Sequence, residues 1–168
     1  MTRSIVLAML LTIQPVVAVS QKPANRAAPA RAFALKDLRG RTVRLSDYKG
    51  KVLLINFWAT WCPPCLVEMP DLVKLQNEYE SQGLQIVGIT CPPMAQKDVE
   101  SIAQKLKINY PILLDTDDVS ESYYVTSVLP TTIVVDRDGK IRGRILGILA
   151  PEEFDRSVKP LLTDANGK

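Results

Sequence analysis

The chain has 168 residues, 46% of them apolar and 23% charged, which is enough for one domain with a sizeable core and too little for two. Its net charge of +3 comes from Arg3, Lys22 and Arg26, which precede every acidic residue; setting them aside from the 21 basic residues leaves 18 against 18 acidic ones. A neutral folded part without a recognition motif excludes nucleic acid as a partner, and no cofactor is expected.

Arg3 is followed by an apolar stretch over residues 5–19, interrupted by Gln14 and Pro15 and closed by Ala18-Val19-Ser20. Small residues at that spacing predict a signal peptide over 1–20, with an uncleaved membrane anchor as the alternative. No cysteine near the cleavage point is available to carry a lipid. Residues 21–30, with Pro23 and Pro29 among alanines and polar residues, read as a linker, and 31–168 as the folded domain. The expected location is the periplasm or another extracytoplasmic compartment, either soluble after cleavage or anchored to the membrane facing it. Such a compartment permits disulfides, and three cysteines leave a functional pair plus one more thiol, or an intermolecular bridge.

The alternation Thr42-Val43-Arg44-Leu45 after Asp37-Leu38-Arg39-Gly40 predicts a short antiparallel hairpin over 33–45. After a turn ending at Gly50, the apolar run 52–57 predicts a strand buried on both faces. Residues 66–79 predict a helix with Leu66, Met69, Leu72, Val73 and Leu75 inward, Asp71, Lys74, Gln76, Asn77 and Glu78 in water, and a kink at Pro70. A second buried strand over 84–90 ends at Cys91-Pro92-Pro93 and precedes a helix over 96–106. A short strand at 111–114 and a short helix within 115–124 follow. Strands at 133–136 and 141–149 flank the turn Arg137-Asp138-Gly139-Lys140 as a hairpin, and Pro151 begins the final helix. This order predicts an α/β fold whose mixed central sheet carries helices on both faces and an N-terminal hairpin.

The chemistry concentrates at Trp61-Cys62-Pro63-Pro64-Cys65, where the first buried strand hands over to a helix. Unpaired N–H groups and the positive dipole end of a helix start stabilise a thiolate, so Cys62 is the candidate nucleophile. Cys65, one turn on, is the candidate that attacks a mixed disulfide formed at Cys62. Pro64 suits the first turn, where its missing N–H costs nothing. Half of a zinc site is the bland alternative, but four ligands are needed and the chain has no histidine and one further cysteine, Cys91. A purely structural bridge would close too short a loop to stabilise much. Glu68, three residues after Cys65, reads either as a solvent-facing first-turn carboxylate or as a buried one able to exchange a proton with Cys65. Cys91 is expected at the same end of the sheet as the pair, as an incidental thiol, a redox partner of the pair or a metal ligand with it.

Asn56-Phe57-Trp58-Ala59-Thr60-Trp61-Cys62, Glu68-Met69-Pro70 and Leu129-Pro130-Thr131-Thr132 together resemble the thioredoxin superfamily and, more narrowly, its exported TlpA/ResA branch, which includes reductases of cytochrome c maturation. The resemblance spans about residues 33–161. It implies a thioredoxin-like fold, a cis Leu129-Pro130 bond beside the cysteines, and proton handling by Glu68, since Asn56 stands where cytosolic thioredoxins carry a carboxylate. Catalytic roles are thereby expected at Cys62, Cys65, Glu68 and Pro130, with Trp61, Pro63 and Leu129 contacting substrate. The implied activity is thiol–disulfide exchange, most simply reduction of disulfides in exported proteins, with an upstream membrane thiol donor to restore the pair. Two other classes remain open: a thiol peroxidase and a Cu(I)-binding thiol chaperone.

Overall fold

The computed structural model describes residues 27–116, 118–125 and 127–163. The signal peptide or anchor expected over 1–20, and most of the expected linker, lie outside them. The last linker residues run beside the β-hairpin turn near residue 139, where Ala30 N–H donates to Gly139 O at 2.9 Å and Ile141 N–H to Ala28 O at 2.8 Å.

Seven strands form one mixed sheet in the order β2-β1-β5-β4-β3-β6-β7. They are β1 (Ala34–Asp37), β2 (Thr42–Arg44), β3 (Val52–Trp58), β4 (Leu84–Thr90), β5 (Ile112–Leu114), β6 (Thr131–Val135) and β7 (Ile141–Leu146). The helices are α1 (Pro63–Tyr79), α2 (Gln96–Lys105), α3 (Asp118–Ser122), α4 (Pro151–Ser157) and α5 (Lys159–Thr163). Among the described residues no helix is long and apolar enough to cross a membrane.

β3 lies between parallel β4 and antiparallel β6, and all seven of its residues are buried. Its alternation divides the core. Leu53, Ile55 and Phe57 pack with Val119 and Tyr123 from the α3 region, whereas Val52 and Leu54 pack with Leu72 of α1, Phe154 of α4 and Leu162 of α5. Helices therefore cover both faces, as the element order predicts. The N-terminal hairpin is present too, and β1 joins it to the main sheet by antiparallel pairing with β5.

Register places the site. Trp58 is opposite Thr90, so Cys91 follows β4 at the same end where Cys62 follows β3. Phe57 is opposite Thr131, and because β6 runs the other way, Pro130 arrives at that end as well. Three segments remote in sequence thus meet at one edge of the sheet.

Three expectations need correction. Helix α1 begins at Pro63 and not at residue 66, because the cysteine segment is itself the first turn; it runs to Tyr79 with Pro70 inside it, as expected. Gln76 is buried, not solvent-facing: its Oε1 accepts from Ile86 N–H at 2.8 Å. The short strand β5 pairs with β4 only at Gly88 and Ile89, so Ile86 N–H has no strand partner on that side and the glutamine supplies one. Finally, the C-terminal helix is two helices. Pro160 lacks the N–H that a continuous helix requires, and the chain turns at Val158, where φ is −112°.

Replacing Gln76 by alanine strands a buried N–H, which costs about 2 kcal/mol. Urea unfolding should show the midpoint fall with the slope unchanged.

Candidate active site

Cys62 is the N-cap of α1, with extended backbone (φ −97°, ψ 100°), and Pro63 and Pro64 occupy the first turn. This cap uses sulfur in place of the usual side-chain oxygen: Cys62 Sγ accepts from Cys65 N–H at 3.3 Å. Pro63 and Pro64 carry no N–H, so Cys65 N–H is the first helix-end donor, and it already faces the sulfur that it would stabilise as a thiolate. The pair is oxidised, with Cys62 and Cys65 joined as a disulfide. The preceding loop is pinned by Met94, whose Sδ accepts from both Thr60 N–H and Thr60 Oγ1 at 3.3 Å.

The two sulfurs are not equivalent. Cys62 lines a cleft of about 380 Å³ together with Trp61, Pro63, Pro64, Cys91, Pro92, Val125, Ser127 and Leu129. Cys65 lies behind it and is 1% exposed, against 5% for Cys62. Trp61 stands at the rim, 64% exposed, while Trp58 is wholly in the core. Leu129 reaches the cleft wall, and its peptide bond to Pro130 is cis, as the resemblance implies. The structure thus brings Cys62, Trp61, Pro63 and Leu129 to one cavity, with Cys65 and Pro130 immediately adjacent.

Glu68 is buried, 1% exposed, which sets aside the solvent-facing alternative. Its Oε1 accepts from Leu149 N–H at 2.6 Å and its Oε2 from Asn56 Nδ2 at 3.0 Å; Asn56 Nδ2 also donates to Thr132 Oγ1 at 3.0 Å. Burial pushes the Glu68 carboxyl above the usual carboxylate range, against the lowering effect of the Leu149 and Asn56 hydrogen bonds, and Asp71 adds to the rise. A buried carboxyl one helical turn from Cys65 is suited to take or give a thiol proton.

Several participants were not singled out from sequence. Leu149 contributes only a backbone N–H, and Thr132 only a hydroxyl that orients Asn56, so neither has a compositional signature. Pro92 enters the cleft from the loop after β4, and Val125 and Ser127 from the segment between α3 and β6. Cys91 is placed as its position after β4 predicts: it lines the Cys62 cleft, and its Sγ lies 3.7 Å from Val125 O. Among the described residues lining this cleft none is cationic, whereas a peroxide-attacking cysteine needs a cationic or hydroxyl-bearing pocket. Among the described residues, no three or more His, Cys, Asp or Glu are grouped to hold a metal ion.

Comparison with known proteins agrees with this geometry. Residues 25–144 match the model of the AhpC/TSA family. The chain is 37% identical over 131 residues to the thiol-disulfide oxidoreductase ResA of Geobacillus thermodenitrificans, covering 76% of this chain and 75% of that protein. Identity to ResA of Bacillus subtilis is 32% over 152 residues, covering 89% and 84%. A solved thiol:disulfide interchange protein of the thioredoxin family from Chlorobium tepidum superposes with a TM-score of 0.74 at 32% identity, covering 82% of this chain and 97% of that one. The thioredoxin domain of a thiol-disulfide oxidoreductase from Bacteroides vulgatus gives 0.71 at 30% identity, covering 80% and 96%.

Proposed function

The chain belongs to the AhpC/TSA family and is a ResA-like thiol–disulfide oxidoreductase of the thioredoxin superfamily, and from that premise we propose that it reduces disulfides of exported proteins. The observation that carries this reading is the unequal placement of the pair: Cys62 opens on the cleft and Cys65 is sealed behind it. Reduced Cys62 attacks one sulfur of the client disulfide, forming a mixed disulfide and releasing the other client sulfur as a thiolate. Cys65 then gives its proton to Glu68 and attacks Cys62 Sγ; the Cys62–Cys65 bond forms and the second client thiolate leaves. The client gains two electrons and the pair loses two, so an upstream thiol donor held at the membrane restores the enzyme.

Trp61, Pro63 and Leu129 form the apolar wall against which the client segment lies, and Pro130 keeps the Leu129 backbone beside Cys62. Residues 1–20 serve as the export signal, or as an anchor, and 21–30 as its linker. The working compartment lies outside the cytoplasm. Apocytochrome c is the client favoured by the likeness to reductases of cytochrome c maturation.

The direction of electron flow follows from the two residues between the cysteines. Neither Pro63 nor Pro64 offers a charge to stabilise the reduced thiolate, which favours a reducing pair. Equilibration with glutathione should give a potential below about −200 mV, nearer thioredoxin than the value of about −120 mV found for strong oxidants, and each 30 mV corresponds to about 1.4 kcal/mol. A result near −120 mV would overturn the reductant assignment and leave the exchange chemistry in place.

A further inference from the structure

Among the described residues six large apolar side chains are exposed, and three of them, Tyr124, Val128 and Leu146, line one groove of about 380 Å³. Single exposed apolar side chains are ordinary, but a cluster of them around a concavity marks a contact surface. Strand register builds this one. β7 is the last strand of the sheet, and its Leu146 is opposite Thr131 on β6. Because side chains alternate along a strand, Leu146 and Arg144 share one face while Ile145 enters the core on the other. The Thr131 hydroxyl donates to Val128 O at 2.7 Å, which holds Val128 over the start of β6. The Arg144 guanidinium donates to the Tyr123 and Tyr124 carbonyls and so ties the chain after α3 to β7.

Tyr124 is the unusual member. Its φ is 55° and it is 73% exposed. Tyr124 N–H donates to Glu121 O at 2.8 Å and Val125 N–H to Ser120 O at 2.9 Å, so the chain leaves α3 through a left-handed residue. Glycine or asparagine suits such a place, because a Cβ there crowds the following carbonyl. The tyrosine strains the backbone, and a ring left in water offsets little of that strain by burial.

The occupant follows from continuity. Val125 and Ser127 line both this groove and the Cys62 cleft, so the two adjoin. A cavity of this volume is roughly 7 Å across, which about two or three residues of extended chain span at about 3.3 Å each. A second copy fits less well: three side chains expose a few hundred Å² at most, against about 800 Å² per partner in a stable dimer. We infer that the groove takes an apolar side chain of the client, about two or three residues from the cysteine that Cys62 attacks, and that Tyr124 and Leu146 select for it. The inference rests on the reading that Cys62 exchanges with a client disulfide in the adjoining cleft.

The test uses the full chain, reduced beforehand, as wild type, Tyr124→Gly and Leu146→Thr. Its substrates are synthetic peptides whose single cysteine is blocked as a mixed disulfide with thionitrobenzoate, which is coloured when released; serine or phenylalanine stands three residues before or after that cysteine. Cys62 attacks the peptide sulfur, thionitrobenzoate leaves, and Cys65 then releases the peptide thiol. Wild type is expected to favour one of the phenylalanine peptides over the serine peptide by about five- to tenfold in the second-order rate constant of release, and each variant to bring that ratio close to one. A ratio near one in wild type, or a wild-type ratio in either variant, overturns the proposal alone. Tyr124→Gly should unfold in urea at the wild-type midpoint or above it; a lower midpoint makes the ring a packing residue and overturns the proposal. Dimers in sedimentation that Leu146→Thr dissolves, or binding to phosphatidylglycerol vesicles that it abolishes, assign the groove to a second copy or to a lipid surface and overturn it too. Release that persists at the wild-type rate in Cys62→Ser overturns the exchange reading, and this inference with it.

Discussion

Replacing Cys62 by serine is expected to reduce protein-disulfide turnover to background, a loss on the order of a thousandfold or more, as removal of a covalent nucleophile does. Cys65→Ser should lose turnover as completely and yet behave differently. Cys62 still opens on the cleft and still caps α1, so the first exchange proceeds; nothing behind it can then expel the client. The expected product is a stable one-to-one mixed disulfide at Cys62, read by mass under non-reducing conditions. Capture of apocytochrome c would support the maturation role, and capture of many unrelated exported proteins would point to general disulfide repair. Failure to trap any protein disulfide would put peroxide or copper chemistry ahead. Accumulation of adducts on Cys65 in Cys62→Ser would reverse the two roles.

That asymmetry was legible in the sequence to an unusual degree, because both cysteines lie on one local element. A buried run ending at Trp61-Cys62-Pro63-Pro64-Cys65 prescribes a strand, a cap and a first turn without long-range information. Glu68 was half legible. Its spacing from Cys65 is local, but its burial depends on Leu149, 81 residues away in sequence, closing over it. Gln76 was misread for the same reason: its helical position looks peripheral until the shortness of β5 leaves Ile86 N–H without a strand partner. Periodicity reports which face of a helix is apolar. It does not report which buried backbone groups across the sheet still need a partner, and glutamine at such a place is drawn inward by a hydrogen bond. The pairing of Asn56 with Gly88 on one side and Thr132 on the other is likewise a property of register, set by three strands whose order in space is not their order in the chain.

Glu68→Gln should separate the two chemical steps that the cysteines perform. Attack by Cys62 on the client takes place in the cleft, by a sulfur that the Cys65 N–H already faces, and should be nearly unchanged. Attack by Cys65 requires a thiol only 1% exposed to lose its proton, and without the carboxylate that step should slow by roughly a hundredfold, the lower range of general-base effects. The mixed disulfide would then build up during turnover at neutral pH, and the deficit should shrink as rising pH deprotonates Cys65 without help. Stability moves in a linked way. Because burial raises the Glu68 carboxyl in the folded state, the folded protein holds that proton more tightly than the unfolded chain, whose glutamates titrate near about 4.3. Its favourable contribution is fully present below the unfolded value and is lost as pH rises through the raised folded value. Glutamine cannot ionise, so the stability of Glu68→Gln relative to wild type should increase from about pH 4 towards neutrality, measurable by urea unfolding at a series of pH values. A variant that is slower in resolution while gaining in relative stability over that interval would show one buried carboxyl kept at a cost to the fold for the sake of proton transfer. A variant with wild-type resolution at every pH would remove Glu68 from the mechanism.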